Sequence, residues 1–228
     1  MTASQHTRNN PFSPTFEALP AALPIFPLGG ALLLPRQQLP LNIFEPRYLN
    51  MVFDALAADR NIGMIQPDAA MKDSEPPQIY GTGCAGRITA FNETDDGRLL
   101  INFTGVCRFK VVEELSGVRG YRRVLADWAP YRSDLCEPDD ISVDFDSFEQ
   151  TLKRYFDAKG LDVKWEALKQ LPHGPMIDFL SMNLPFSDEE KQALLEAEDG
   201  ASRAQMLTAV VEMGARDRGP PASGADRH

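Results

Sequence analysis

The rhythm of apolar positions changes near residue 137. Before it, short apolar runs are broken by proline, glycine and acidic turns. After it, apolar positions return every three or four residues. In the first part "LPIFPL", "ALLLP" and "LPLNIF" read as short strands. Gly29–Gly30, Pro35 and Pro40 punctuate them, the pattern of edge strands and turns. A helix is predicted over roughly 46–59. Pro46 suits its first turn, and Leu49, Val52, Phe53 and Leu56 fall on one face. "IGMIQ" reads as the next strand. Asp95, Asp96 and Gly97 supply a hairpin turn between "GRITAFNE" and "RLLINFTGVCRFKVVEEL". Gly105 permits a bend or bulge in the second arm. "YRRVLADWAP" is the last strand, ended by Pro130. Roughly six or more short strands with one helix predict a small β-barrel, closed or half closed.

The second part reads as helices. Phe148, Leu152, Tyr155 and Phe156 make one face, which Gly160 ends. Trp165, Leu168 and Leu171 fit a short second helix. Met176, Phe179, Leu180 and Asn183 fit a third, stopped by Pro185. Ser187 and Glu190 have the spacing of a capping box. The helix they open presents Ala193, Leu194 and Ala197. A last helix carries Met206, Leu207, Val210 and Val211. The segments before and after the periodic text, 1–22 and 215–228, are polar and aperiodic and read as disordered. The expected organisation is a barrel over 23–130 and a helical subdomain over 131–214.

Charge narrows the function. The net charge is −10; residues 1–130 carry 12 basic and 13 acidic side chains, and the remainder 11 and 20. An acidic surface repels phosphate backbones, which argues against nucleic-acid binding. "VRGYRR", with Arg119, Arg122 and Arg123, is the one basic cluster and reads as a solvated strand face. Cys84, Cys107 and Cys136 lack metal-ligand spacing and read as buried reduced thiols. Pro20, Pro24, Pro27 and Pro35 interrupt the apolar stretch near the start, so no signal helix is predicted. No run of about 18 apolar residues predicts a membrane span. A cytoplasmic protein is expected.

The familiar catalytic patterns are missing. No Gly-Lys-Ser/Thr phosphate loop occurs. Gly81, Gly83 and Gly86 match G-x-G-x-x-G, but "RITAF" follows as strand where a dinucleotide fold needs a helix, so the glycines are read as places where strands approach closely. His6 and His228 lie in the terminal segments, and His173 is read as a loop residue. These absences point away from an enzyme and from any metal or cofactor.

One stretch stands apart, "LNIFEPRYLNMVF". Phe44, Glu45, Arg47 and Tyr48 gather where a strand turns into a helix. The longer run "LPIFPLGGALLLPRQQLPLNIFEPRYLNMVFDAL", then "GTGCAGRITAF" and "DGRLLINFTGVCRFKV", resembles the N-terminal substrate-binding domain of Lon proteases. It is most similar to the stand-alone bacterial proteins built on that domain. "LPFSDEEKQALLEAEDGASRAQML" extends the resemblance into the helical part. At Gly29–Gly30 the chain departs from the family, which has a charged pair there.

The resemblance implies an α+β fold, a PUA-like β-barrel with one helix followed by a small helical bundle. It implies a non-catalytic module without the ATPase and protease domains, binding unfolded or partly apolar polypeptide segments. A protease or chaperone would act with it in trans. Arg47 and Arg108 match positions that are usually arginine in the family. Two readings of Phe44, Glu45, Arg47, Tyr48 and Arg108 stay open here. In one the charged residues pin the helix to the barrel. In the other an arginine fixes a peptide carbonyl or carboxylate beside an aromatic groove. Two further classes compete: an RNA-binding PUA-like barrel, and a small-molecule sensor or enzyme using the barrel cleft.

Overall fold

Six strands and their pairings organise the first 137 residues of the computed structural model, which describes residues 14–68, 77–137, 141 and 144–216. They are β1 (Ala22–Pro27), β2 (Gln38–Ile43), β3 (Asn61–Pro67), β4 (Ile79–Glu93), β5 (Leu99–Val118) and β6 (Tyr121–Asp127), with helix α1 (Pro46–Leu56) between β2 and β3. The sheet order is β2-β5-β4-β3-β1-β6, and β5 pairs again with β6. The length of β5 makes this possible. One edge of it holds β2 along Leu99–Thr104 and β6 along Lys110–Val118, which closes the sheet into a barrel. Only β1 and β3 run parallel, and β2 with α1 forms the crossover between them.

Small residues let the barrel close around aromatic ones. The Phe109 ring fills the interior against Trp128, with ring centroids 5.6 Å apart. A Cβ on Gly63 or on Gly83 would lie 2.8 or 2.6 Å from that ring. Gly105 has a second use. Its pairing with β4 shifts register there, leaving Val106 as an extra residue, the bulge expected from the sequence. A Cβ at Gly105 would stand 2.0 Å from the Leu34 carbonyl oxygen.

Leu34 belongs to "ALLLP", which is a departure from expectation. Residues 31–34 are not a strand. Leu32, Leu33 and Leu34 are fully buried in an irregular segment. Arg36, at φ 66°, turns the chain, and its amide donates to the Gly105 carbonyl at 2.8 Å. Apolarity alone did not separate a buried loop from a buried strand.

Helix α1 is also rotated from expectation. Pro46 takes the first turn as predicted, but the buried face is Tyr48, Met51, Val52 and Ala55, and Phe53 is exposed. The period is right and the phase is one residue off. The Thr94–Arg98 turn joins β4 to β5 through Gly97 at φ 81°. Phe16–Ala18, counted with the disordered lead-in from the sequence, forms a 3-10 turn, and β1 already begins at Ala22. The other residues of that lead-in before 14, and the tail beyond 216, lie outside the described residues.

The chain divides into two compact units between Glu137 and Pro138. The first therefore includes the 3-10 segment Ala129–Leu135. The second contains α2 (Phe145–Lys159), α3 (Trp165–Leu168), α4 (His173–Asn183), α5 (Asp188–Glu196) and α6 (Gly200–Arg216). Gly160 ends α2 in the left-handed conformation, and Ser187 with Glu190 forms both bonds of the capping box. α2 and α6 form the main contact of this unit. Tyr155 crosses α6 at Gly214, where a Cβ would meet its ring at 2.6 Å. Phe179 and Leu171, expected on apolar faces, are exposed; Ile177 and Ser181 are buried instead. Arg203 is buried and answered by Asp178 at 2.8 Å and by the Leu194 carbonyl at 3.0 Å.

Candidate functional site

The "FEPRY" corner is built from the end of β2 and the first turn of α1. Glu45 is the N-cap of α1, with extended backbone, but its side chain does not bond to the helix amides. It turns to Arg47, whose Nε donates to Oε2 at 2.9 Å while Nη2 lies 2.8 Å from the same oxygen. The pair is open to water: the side chains are 53% and 44% exposed. Phe44, just before it, is 62% exposed. The Tyr48 ring does the opposite. It is buried edge-on against Phe26, centroids 4.1 Å apart, with the Arg47 guanidinium 4.5 Å above it. Burial pushes the Tyr48 hydroxyl pKa up, while the charges of Arg47 and Arg122 act against that.

A second layer of charge comes from the β5–β6 turn. Gly120 lies so close that a Cβ there would touch the Arg47 Cβ at 3.3 Å. Arg119, at φ 49°, bonds Asp54 and reaches Asn50 Oδ1 at 2.8 Å. Tyr121 donates to Asp54 at 2.9 Å. Arg122 grips both oxygens of Glu114 at 2.7 Å and donates to the Pro77 carbonyl at 2.8 Å. So "VRGYRR" is not a loose solvated face. Two of its arginines are spent on carboxylates of neighbouring elements.

Arg108 is elsewhere in function. It is 2% exposed, and Asp134 answers it with both oxygens: Nε to Oδ2 at 2.9 Å, Nη2 to Oδ1 at 2.8 Å. The same Asp134 accepts the Arg108 backbone amide at 2.9 Å, and Tyr131 lies 4.3 Å beneath the guanidinium. Arg36 completes the clamp by donating to the carbonyls of Asp134 and Cys136. Arg108 thus does not meet Glu45; it ties the 3-10 segment to β5. Sequence gave no sign of Asp134, whose partner is 26 residues away.

Cys107 is buried beside Asp134, and burial first, with that charge second, pushes its thiol up to about 12. Cys84 is buried as expected, but Cys136 is exposed. The G-x-G-x-x-G glycines lie within strand β4. His173 is the first residue of α4 rather than a loop residue; its ring stacks on Phe145, and Nδ1 lies 3.2 Å from the Ile141 carbonyl. Among the described residues no group of three or more His, Cys, Asp or Glu could hold a metal ion. No helix among them is long and apolar enough to cross a membrane.

Two features lie beside the corner, the strand edge that the bounding prolines suggested and a groove that no sequence pattern showed. β2 is an end strand. The Gln37 carbonyl accepts from Gly105 N, so alternate residues Leu39, Leu41 and Ile43 face β5, and Gln38, Pro40 and Asn42 aim their backbone outward. Pro40 removes one donor from that open edge. An open groove lined by Asn42, Leu100, Arg98 and Thr94–Asp96 begins two residues before Phe44. In it Asp96 is held at about 2, chiefly by its hydrogen bond from Arg98 and next by that from Thr94.

The comparisons with known proteins agree with this architecture. The model of the ATP-dependent protease La (LON) substrate-binding domain matches residues 22–212, and the chain belongs to that family. A crystal structure of a Lon N-terminal domain protein from Xanthomonas campestris is 25% identical, with a TM-score of 0.59, over 82% of this chain and 97% of that one. The N-terminal domain of the Lon protease of Mycobacterium avium complex shares the fold at a TM-score of 0.58 and 14% identity, over 86% of this chain and 98% of that one. The Lon protease of Trichlorobacter lovleyi is 27% identical over 93% of this chain but only 26% of its own length. That of Dictyoglomus thermophilum is 24% identical over 83% of this chain and 24% of its own. The chain thus spans about a quarter of the curated relatives it matches. The α+β fold and the family resemblance read from the sequence are both found.

Proposed function

We propose that this chain is a non-catalytic polypeptide-binding module, which captures unfolded or partly apolar segments for a protease or chaperone acting in trans. The observation that carries it is the match over residues 22–212 to a family described as the substrate-binding domain of an ATP-dependent protease. The surface that fits best starts at Phe44 and continues into the groove of Asn42 and Leu100. It offers exposed apolar area next to an open strand edge. Glu45 and Arg47 form its polar rim; Tyr48 supports it from beneath. The buried Arg108 supports the scaffold instead. The RNA reading loses ground because Arg119 and Arg122 are already paired with carboxylates.

Fluorescence anisotropy of a labelled, permanently unfolded protein tests this. Saturable binding by the full chain is expected. Phe44→Ala, folded by circular dichroism, should bind about tenfold more weakly, the loss of roughly one buried aromatic contact. A folded wild type with no affinity for the unfolded chain ends the proposal.

A further inference from the structure

The Glu45–Arg47 pair is made in an incomplete way. Two guanidinium nitrogens approach a single oxygen of Glu45 and only Nε hydrogen-bonds it, whereas Asp134 meets Arg108 with both oxygens. The two-oxygen fork is the stronger arrangement. A residue two positions away, already committed as the N-cap, does not supply it here. The pair is also exposed, so water screens it and replacing one carboxylate with another costs little.

What surrounds the pair favours an anion. The Tyr48 ring is nine-tenths buried, but its hydroxyl makes no hydrogen bond among the described residues and still reaches solvent. That hydroxyl feels the charge of Arg47, opposed by Glu45, and that of Arg122. The neighbouring arginines Arg119 and Arg122 are taken up by Asp54 and Glu114. Of the three pairs, Arg47–Glu45 is the most open to water. Phe44 places an exposed apolar ring directly beside it.

We infer that this corner receives the terminal carboxylate of a polypeptide whose last side chain is apolar, with Glu45 as the internal carboxylate it displaces. The inference rests on the polypeptide-binding reading above and names its ligand chemistry. The incoming group would take the Arg47 fork and the Tyr48 hydroxyl, at a helix start that no side chain caps. A terminal carboxylate carries its own residue's side chain on the adjacent carbon, two bonds from the carboxylate carbon, and so brings an apolar group toward the exposed Phe44.

The test uses the full chain and three fluorescent decapeptides of one sequence. The first ends in leucine with a free carboxylate and the second in leucine amide. The third is the amide with glutamate as its penultimate residue. The free acid is expected to bind about tenfold tighter than the amide, the effect of one charge-assisted fork. Glu45→Gln should widen the preference for acid over amide roughly threefold. Arg47→Ala, folded by circular dichroism, should erase the acid–amide difference. Equal binding of acid and amide overturns the inference while the capture of unfolded protein stands. So does a glutamate-containing amide that binds as well as the acid, or a Glu45→Gln variant that weakens both. If neither the peptides nor the unfolded protein bind, the inference and the broader reading fall together.

Discussion

Two arginine–carboxylate pairs in the barrel unit have nearly the same bond lengths and opposite meanings. Arg108 and Asp134 meet at 2.8 Å with almost no solvent access. Arg47 and Glu45 also meet at 2.8 Å, about half exposed. In the buried pair the low dielectric strengthens attraction, and both charges have given up their hydration. Neither can lose its partner cheaply. At the corner water competes for both groups, so the pair contributes little to stability and can be exchanged. Distance alone does not separate a structural ion pair from an accessible one; burial and the number of oxygens engaged do.

The largest expected effect breaks the buried pair. Asp134→Ala removes the acceptor of three Arg108 hydrogen bonds, from the backbone amide, Nε and Nη2, and should destabilise the barrel unit by about 3–5 kcal/mol in urea unfolding. The double change Arg108→Met with Asp134→Leu should recover most of that loss. A single-variant loss below about 1 kcal/mol would put both pairs in one class and remove the comparison.

Arg122 and Glu114 stand between the extremes, 19% and 39% exposed. Glu114→Gln should cost about 0.5–1 kcal/mol after allowing for solvent screening. The hydrogen bond from Arg122 holds the Glu114 pKa below its usual value. The sign follows: stability from this pair is full above the unfolded carboxylate pKa and is lost as pH falls through the lower, folded one. Wild type and Glu114→Gln should therefore differ at pH 7 and converge below about pH 3. A gap that stays constant down to acid pH assigns the effect to packing.

The smallest effect is at the corner. Arg47→Ala should change stability by no more than about 0.5 kcal/mol at moderate salt. A loss near that of Asp134→Ala would make the corner a structural joint.

Much of the scaffold was legible from local chemistry. Pro46, Gly97, Gly160 and the Ser187–Glu190 box work through a few neighbouring residues, so the sequence carries their full meaning. The Gly105 bulge was legible for the same reason, though its neighbour Leu34 was not. "ALLLP" and the phase of α1 misled because burial depends on what the rest of the chain brings to each face. Tyr48 displaced Leu49 from the buried face because Phe26 waits there for a ring.

The candidate site divides in the same way. The sequence by itself determined that Phe44, Glu45, Arg47 and Tyr48 share one corner, since five residues hold them all. It also determined the family, through the order of many short segments. Only the tertiary structure decided that Arg108 leaves the corner for Asp134, that Arg119 and Arg122 crowd around α1, and that the Tyr48 hydroxyl has no partner among the described residues. Those relations join residues 26 to 74 positions apart, and the closing of β5 onto both β2 and β6 decides which side chains meet.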